Sequence, residues 1–414
     1  MPTAITNPRL GTYLTTSTAG ENVRAFVPPA LPPDPPLDIS PELHDLLEKA
    51  NRGLGRLDGL ARLFPDPDLF LYMYVRKEAL LSSQIEGTQS SFSDLLLFEN
   101  KEVPGVPMDD VKEVSNYVAA MNHGLERLRG GFPLSLRLLK EIHGILMSKG
   151  RGHTKAPGEF RTSQNWIGGS RPGNAAFVPP PPNKVMECMG ALEKFLHDEP
   201  VKTPLLVKAA LAHVQFETIH PFLDGNGRAG RLLITLLMCA EGALAQPMLY
   251  LSLYFKKHRD AYYDLLMRVR TEGAWEAWLH FFLSGIIDTT EQATRTAQRI
   301  LELFRDDRAR VEKLGRAASS TLRLHHAFQE RVIFSIPRAA KRVGLSQPTV
   351  TAAMNRLQKL GIVSESTGRK RKKLYVYDTY LKILSEGAEP IKMSGNKTRR
   401  IAYDYRPWPL KPTA

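Results

Sequence analysis

The sequence predicts a mainly α-helical protein with one small β-hairpin and a separate winged helix-turn-helix unit near the C-terminus. Apolar residues recur three or four positions apart through most of the chain, which is the period of an α-helix. Strand-like alternation is scarce, and residues 165–182 hold the main exception. With 414 residues, 43% of them hydrophobic and 24% charged, the chain is long enough for two or three compact domains.

Composition limits the classes of protein to which the chain can belong. The net charge of +13 favours an anionic partner, such as a nucleotide or nucleic acid, and the positive charge increases after about residue 295. No run of about 18 apolar residues occurs, and the first residues lack the order of a signal peptide. We therefore expect a cytoplasmic protein that does not enter a membrane. Cys188 and Cys239 indicate neither a disulfide framework nor a zinc site, and we expect two inert thiols.

An extended N-terminal arm is predicted for residues 1–40. Prolines crowd residues 27–36, and each proline removes a backbone hydrogen-bond donor and favours a polyproline-like linker. Folded structure is therefore expected to begin near Ser40, where the helical pattern of apolar residues starts. The pattern continues through residues 68–87 and 109–128.

Two apolar helices that flank one short loop are expected at the centre of the molecule. Residues 203–219 are largely apolar and lead directly into HPFLDGNGRAGR, residues 220–231, from which a second apolar helix leaves over residues 229–244. Before them, residues 165–182 are predicted to form the β-hairpin, because short apolar ends flank a Pro-Gly-Asn turn. After them, residues 288–325 have the composition of a long charged spacer helix.

The loop between the two helices has the features of a phosphate site. Gly225 and Gly227 permit positive φ angles and a close approach of the backbone to a ligand. Asn226 tolerates such angles and adds a side-chain amide donor. The free backbone N–H groups at the start of the following helix favour an anion.

Charged residues around this loop indicate the reaction class. Asp224 suits a hard cation such as Mg²⁺ that bridges phosphate oxygens. Arg228 and Arg231 lie one helical turn apart and can clamp phosphates with planar guanidinium groups. A histidine titrates near neutrality, so His220 can accept the proton of an incoming nucleophile. Together these residues indicate transfer of a phosphate-linked group without a nucleophile from the protein.

HPFLDGNGRAGR resembles the signature of the Fic family, HxFx(D/E)GNGRxxR, at every specified position. The resemblance implies a helical Fic-fold core that transfers AMP from ATP to a Tyr, Thr or Ser hydroxyl of a protein and releases pyrophosphate. It also implies that His220 is the base and that Asp224 holds Mg²⁺. Residues 225–227 would then cradle the α- and β-phosphates, and Arg231 would contact the γ-phosphate.

Two further segments are similar to parts of Fic proteins. The predicted hairpin at residues 165–182 resembles their flap, which aligns the target segment beside the active site by strand addition; the alternative is a hairpin that serves packing only. Tyr262 and Tyr263 resemble the paired tyrosines near the adenine in this family. Because neighbouring residues of a helix point in different directions, one of the two is expected to lie in the core.

Residues 80–91 resemble the inhibitory motif of Fic proteins, (S/T)xxxE(G/N), with Ser82, Glu86 and Gly87 at the matching positions. The resemblance implies that Glu86 is presented to the active site and forms a bidentate salt bridge with Arg231. A γ-phosphate would then lose the same guanidinium, and ATP would be misaligned for attack. The alternative is a carboxylate at a helix end without a partner, where the helix dipole disfavours it.

Residues 335–377 are predicted to form a helix, a glycine turn, a second helix and two short strands, which resembles a winged helix-turn-helix domain. In one interpretation this unit binds DNA, with residues 369–373 on the phosphates and the second helix in the major groove. That helix would present four polar residues to the bases: Gln347, Thr349, Thr351 and Asn355. In the other interpretation the unit is a protein-docking or dimerisation module.

These patterns divide the chain into six predicted segments. They are an extended arm (1–40), a helical region with the inhibitory helix (41–130), a Fic catalytic core (131–290), a linker helix (291–325), a winged helix-turn-helix domain (326–385) and a basic tail (386–414). The interpretation is a self-inhibited protein adenylyltransferase that uses ATP and Mg²⁺ and modifies a target protein and itself. The alternatives are removal of AMP, transfer of another phosphate-linked group, and a DNA-binding regulator whose Fic core senses a nucleotide. The target and the oligomeric state, a homodimer included, stay open.

Overall fold

The computed structural model describes residues 9–61, 67–99, 107–368 and 373–390. None of the helices in these ranges is both long and apolar enough to span a lipid bilayer. The predicted basic tail beyond residue 390 and residues 369–372 of the predicted basic loop lie outside the described residues.

A β-hairpin and five helices form the N-terminal region. Its elements are β1 (Thr12–Thr18), β2 (Glu21–Val27), α1 (Pro41–Ala61), α2 (Pro67–Ile85), α3 (Phe92–Glu99), α4 (Met108–Arg129) and α5 (Leu136–Leu146). The prediction of an extended arm is wrong for residues 12–27, where β1 and β2 pair antiparallel. Ala19 and Gly20 both have positive φ in the turn between the strands, as a tight two-residue hairpin requires.

The strand signal in this hairpin is short and confined to one strand. In β2 the buried Val23 and Ala25 alternate with the exposed Arg24, whereas β1 consists largely of exposed residues. The buried face packs on Val178 and is covered by Trp166. The hairpin therefore depends on contacts with a segment far away in sequence.

The middle of the chain forms the helical core. Its elements are α6 (Pro182–Leu196), α7 (Leu205–Ile219), α8 (Asn226–Ala240), α9 (Ser252–Lys257) and α10 (Arg259–Glu272). The two apolar helices predicted at the centre are α7 and α8, and every residue of α7 after Leu205 is buried. Both pack directly on each other, and α4 and α5 pack on α8. The loop at residues 220–225 is thus held at one end of the core.

The β-hairpin predicted at residues 165–182 is smaller than expected. One β-bridge between Ile167 and Phe177 closes the loop, and a 3₁₀ turn at Pro172–Asn174 forms its tip. Prolines after Val178 limit further pairing because they lack the N–H donor that a strand ladder needs. The loop between the two bridge partners is called the flap below.

A single long helix, α11 (Trp275–Glu312), replaces the linker helix predicted at residues 291–325. It begins and ends earlier than expected, and it packs along α1. Its buried residues include Ala293, Ala297 and Ile300, which recur at helical spacing. Most of its charged residues lie on the outer face, Asp307 being a buried exception, so this segment is part of the core rather than a spacer.

Helices and a small antiparallel sheet form the C-terminal unit. Its elements are α12 (Ala318–Glu330), β3 (Ile333–Ser335), α13 (Ile336–Val343), α14 (Gln347–Lys359), β4 (Ser364–Glu365), β5 (Leu374–Val376) and α15 (Asp378–Ser385), with strand order β3-β5-β4. The expected helix, glycine turn and helix are present, with Gly344 at φ 63°. Strand β3 is an addition that the sequence did not indicate. The assignment of a winged helix stays a prediction.

Candidate active site

The loop from His220 to Gly225 joins the two central helices through two left-handed residues. His220 ends α7 at φ 50° and ψ 58°, and Gly225 precedes α8 at φ 76° and ψ 9°. Glycine adopts such angles without strain, whereas a histidine there must be held by its surroundings. The imidazole and the first backbone N–H groups of α8 are therefore carried at the two ends of one short loop.

Asn226 closes this loop instead of extending into the site. Its side-chain Oδ1 accepts from the N–H of Phe222 and its Nδ2 donates to the carbonyl of the same residue, both at 2.8 Å. The side chain is buried, and its φ is not positive. The expected side-chain donation to a phosphate is therefore wrong, and contact at Asn226 is left to its backbone.

Side chains from outside the motif also hold the loop, and the sequence analysis missed them. His143 on α5 stacks on Phe222 with ring centroids 3.6 Å apart, and its Nε2 lies 2.9 Å from the carbonyl of Asp224. Gly158 donates its N–H to Nδ1 of His143, so Nε2 carries the proton that Asp224 accepts. A lone histidine on an amphipathic helix offers no sequence signal for this task.

Nε2 of His220 has no hydrogen-bond partner among the described residues. Its Nδ1 lies 3.4 Å from the carbonyl oxygen of Glu217, which fixes the proton on Nδ1 and leaves the Nε2 lone pair available. Burial, followed by the positive charges of Arg270 and Arg161, lowers the pKa of His220 to about 3. The expectation of a pKa near neutrality is therefore wrong for the free protein. The imidazole is neutral at pH 7, which is the form that accepts a proton.

Arg231 is almost completely buried, with 2% of its side chain exposed. Its Nε donates to Oγ of Ser82 at 2.9 Å, and its Nη2 donates to the carbonyl of Ser82 at 3.0 Å and to Oε1 of Glu86 at 2.7 Å. The expected ion pair is present, but it involves one carboxylate oxygen rather than two. Ser82 takes the second position of the guanidinium fork, which explains the difference.

Glu86 lies just past the end of α2, in a turn that Gly87 closes at φ 98°. Its side chain is 36% exposed. A Cβ atom on Gly227 would overlap Oε1 of Glu86, so the carboxylate rests directly on the first turn of α8. Burial raises the pKa of Glu86, but the charge of Arg231 more than offsets this and the pKa lies below its usual value. An ionised group thus occupies an anion-binding helix start.

Asp224 is the one motif carboxylate open to a ligand. Its side chain is 45% exposed, and Oδ1 accepts the N–H of Gly225 at 2.6 Å. The described residues contain no cluster of three or more potential metal ligands. A single exposed carboxylate such as Asp224 is the kind of ligand that Mg²⁺ takes together with substrate phosphates and water.

Arg228 does not take the position expected of it, which was to clamp phosphates together with Arg231. It is buried, its Nη1 lies 3.4 Å from Oε2 of Glu113, and its Nη2 lies 3.4 Å from the sulfur of Met147. Glu113 also accepts from Nε of Arg151 at 2.6 Å. Arg228 is therefore turned toward α4, and Arg231 alone of the two contacts Glu86 in the structure.

Glu217 is a buried carboxylate beside this cluster. Its Oε1 has no hydrogen-bond partner among the described residues. Burial raises the pKa of Glu217 to about 7, against the opposing charges of Arg231 and Arg270. The sequence did not single out this residue.

The two neighbouring tyrosines of α10 have different surroundings, as expected. Tyr262 is fully buried and its hydroxyl lies 2.8 Å from Nε2 of His213. Tyr263 is half-buried, and the guanidinium of Arg259 lies 5.3 Å from its ring centroid. The prediction that Tyr262 contacts a nucleotide is wrong, because its side chain is sealed in the core.

The N-terminal hairpin is attached to the flap. The N–H of Phe26 donates to the carbonyl of Val178 at 2.9 Å. Glu21 accepts from Arg171 at 2.6 Å and from the N–H of Gly173 at 2.8 Å. β2 therefore pairs beside the flap at Val178, and nothing in the sequence indicates this pairing.

The helix that ends at Glu86 also contacts the C-terminal unit. Gln84 is buried, and its Nε2 donates to the carbonyls of Ser90 at 2.9 Å and Ala388 at 3.0 Å. The segment around Ala388 is held further by a bidentate ion pair between Glu386 and Arg299 at 2.6 and 2.8 Å. The turn that presents Glu86 is thus tied to residues just after α15.

Fold and site together define a helical protein in which a histidine faces an anion-binding helix start. Residues 44–126 match the model of the Fic/DOC family N-terminal region, and residues 133–238 match that of the Fic/DOC family. The crystal structure of a Fic family protein from Desulfovibrio desulfuricans G20 shares the fold, with a TM-score of 0.54 at 20% identity. The match covers 83% of this chain and 97% of the Desulfovibrio protein. Residues 44–126 and 133–238 of this chain therefore carry the two regions of the Fic/DOC family models.

Curated relatives carry the same family region. The protein adenylyltransferase Fic of Aedes aegypti is 33% identical over 215 residues, and that of Drosophila erecta is 30% identical over 213 residues. Each match covers 50% of this chain but only 38% and 39% of the respective relative.

Proposed function

We propose that this chain is a protein adenylyltransferase, which transfers AMP from ATP to a Ser, Thr or Tyr hydroxyl of a protein and releases pyrophosphate. The matched family region and the names of the relatives support this activity. The observation that carries it is the ionised Glu86, which sits on Gly227 and Arg231 below the imidazole-bearing loop. A helix start that receives one anion suits a phosphate in the same place.

In the proposed reaction, the acceptor oxygen attacks the α-phosphorus of ATP. The bond from that phosphorus to the oxygen bridging to the β-phosphate breaks, and pyrophosphate leaves. Nε2 of His220 takes the proton of the acceptor, because Nδ1 already holds a proton toward Glu217. The negative charge of a bound triphosphate raises the proton affinity of the imidazole, which offsets its low pKa in the free protein.

The phosphates are assigned to the start of α8. Backbone N–H groups of residues 225–227 would bind the α- and β-phosphates, and Arg231 would bind the γ-phosphate. Arg228 contributes a nearby positive charge from its position against Glu113. Asp224 would hold Mg²⁺, and the ion would supply positive charge near the pyrophosphate leaving group.

Glu86 is proposed to inhibit this reaction. Its carboxylate occupies Nη2 of Arg231 at 2.7 Å, so a γ-phosphate must displace it to reach the same guanidinium. ATP that binds without this contact would place its α-phosphorus incorrectly, and an error of about 1 Å costs roughly 100-fold in rate. On the adenine side, the half-buried Tyr263 is the better candidate for contact than Tyr262.

The partners are proposed from the same chemistry. The acceptors are a target protein whose segment lies along the flap, and the chain itself. The C-terminal unit is proposed to be a winged helix that binds either DNA or protein; Gln347, Thr351 and Asn355 are exposed on α14. A gel shift with genomic fragments separates these two partners. An ATP-consuming enzyme belongs where ATP is abundant, so the cytoplasm is the expected location.

Intact mass after incubation with ATP and Mg²⁺ tests the proposed function. We expect an AMP adduct on the Glu86→Gly variant and none on Glu86→Gly/His220→Ala. The matched control is Glu86→Gly/His44→Ala, which removes an exposed histidine of α1 and should label like its parent. An adduct of bare phosphate, or equal labelling of all three variants, would refute the assignment.

Removal of AMP is a second candidate for the same site. Glu86 is ionised and 36% exposed, so it can orient a water molecule as well as bind Arg231. The acceptor for this test is the Glu86→Gly/His220→Ala variant, labelled with AMP by the active Glu86→Gly variant. Wild-type protein added to this acceptor would then release AMP. A stable label in that mixture rejects this candidate.

A further inference from the structure

Arg161 is a buried arginine that hydrogen-bonds only to backbone carbonyls in the described residues. Its guanidinium is nearly inaccessible, with the whole residue 3% exposed. Its Nε donates to the carbonyl of His220 at 2.9 Å, and its Nη2 donates to those of Ile219 at 3.3 Å and Pro180 at 2.5 Å. Its Nη1 donates to the carbonyl of Ser163 at 3.3 Å.

These acceptors belong to two different parts of the site. Ser163 precedes the flap and Pro180 follows it, whereas Ile219 and His220 end the helix that delivers the imidazole. The backbone N–H of Arg161 adds a fifth bond, to the carbonyl of Pro221 at 2.9 Å. One planar side chain thus joins both ends of the flap to the residue that carries the base.

Placing a buried cation at this link costs free energy, because the charged group is removed from water. Burial lowers the pKa of Arg161 to about 10, and within the described residues no carboxylate pairs with it. A neutral amide would bind carbonyls at lower cost, as Asn165 does with His220 at 3.3 Å and Phe222 at 3.0 Å. The guanidinium offers what an amide lacks, namely donors in a rigid plane that reach several carbonyls at once, and a positive charge beside the imidazole.

We infer that Arg161 is a positioning residue for the transfer: it holds the flap, and the hydroxyl-bearing segment that lies along it, in register with Nε2 of His220. The inference rests on the proposed function and adds a residue outside the signature to it. Reacting groups must be held within about 0.5 Å of the productive geometry, and the fork of Arg161 spans the two elements whose separation sets that distance. Its charge also contributes to the low pKa of the neighbouring imidazole, after burial and the charge of Arg270.

Variants of Arg161 in the Glu86→Gly background test this role. Arg161→Lys keeps the charge but loses the fork, and Arg161→Gln loses both. Arg127→Gln is the control, because Arg127 bonds Glu141 and, among the described residues, donates no hydrogen bond to the loop. Three quantities are measured for each variant: the rate of self-labelling with ATP, the dissociation constant of ATP, and the titration midpoint of His220 by NMR.

We expect both Arg161 variants to lose about 10- to 100-fold in labelling rate, with the ATP dissociation constant within about twofold of the parent. The midpoint of His220 should rise in Arg161→Gln and stay unchanged in Arg161→Lys. Labelling at the parent rate would overturn the inference. A loss of labelling that is accompanied by matching losses of ATP affinity and thermal stability would overturn it too. A Glu86→Gly parent that transfers no AMP would refute the proposed function instead, while the His220 titration would still report on Arg161.

Discussion

Removal of the Glu86 carboxylate is the perturbation with the clearest expected effect. In Glu86→Gly, Nη2 of Arg231 loses its anion at 2.7 Å, while Nε keeps its bond to Ser82. The guanidinium remains charged and fixed, with a vacant position toward the cleft. A γ-phosphate can then bind there without competition.

The size of the effect follows from the geometry of the ion pair. Two unit charges about 4 Å apart attract by about 4 kcal/mol at an effective dielectric constant of about 20. Because Glu86 is 36% exposed, water screens the pair, and we discount the attraction to about 2 kcal/mol. At about 1.4 kcal/mol per factor of ten, this corresponds to about 30-fold more nucleotide bound in the productive mode.

The assay is the initial rate of self-labelling with radiolabelled ATP and Mg²⁺. We expect Glu86→Gly to label about 30-fold faster than wild type. Glu86→Gln, which keeps the volume but loses the charge, should fall between the two. A Glu86→Gly variant that binds ATP yet labels no faster than wild type would refute the reasoning.

Three further predictions use the same contacts. Gly227→Ala should reduce labelling at least tenfold even in the Glu86→Gly background, since its methyl group blocks the phosphate as well as the carboxylate; full activity of the double variant would contradict this. Glu217→Gln should change the pH dependence of unfolding by urea. The folded state holds the Glu217 proton up to about pH 7 against an ordinary 4.5, so wild-type stability falls by up to about 3 kcal/mol between these pH values. The Glu217→Gln variant should lack this loss of stability. Parallel pH profiles of stability for wild type and variant would contradict the raised pKa of Glu217. Gln84→Ala removes the bond to the carbonyl of Ala388 and should raise self-labelling several-fold by loosening the turn of Glu86, whereas an unchanged rate would show that this bond does not hold the inhibitor.

The central helices and their loop could be predicted because their information is local. Helical spacing of apolar residues marks α7 and α8, and the glycine before α8 marks the left-handed turn. Glu86 could be predicted from its own motif in the same way. The second hydrogen-bond partner of the Arg231 guanidinium could not. Ser82 takes that bond, and only the relative placement of two helices decides it.

Other parts depend on pairings that are distant in sequence. The hairpin at residues 12–27 is stabilised by the flap, and β1 alone has too few buried residues to signal a strand. Arg161 and His143 act on backbone atoms, which leave no pattern in a sequence. The low pKa of His220 arises from burial and two arginines that only the fold brings near.

The bounds of α11 could not be predicted from the sequence for a related reason. Charge is visible in a sequence, but the narrow buried stripe of Ala293, Ala297 and Ile300 becomes significant only once the fold supplies the helices that cover it. Small residues give weak helical signals, and they are favoured where two helices approach closely.

The central claim is that Glu86 and the terminal phosphate of ATP compete for Arg231. Calorimetric titration of ATP and of ADP, each with Mg²⁺, into wild type and Glu86→Gly tests this most directly. The account predicts nearly equal dissociation constants for the two nucleotides in wild type, and an ATP affinity at least tenfold above that for ADP in the variant. The same ratio of ATP to ADP affinity in both proteins would contradict it.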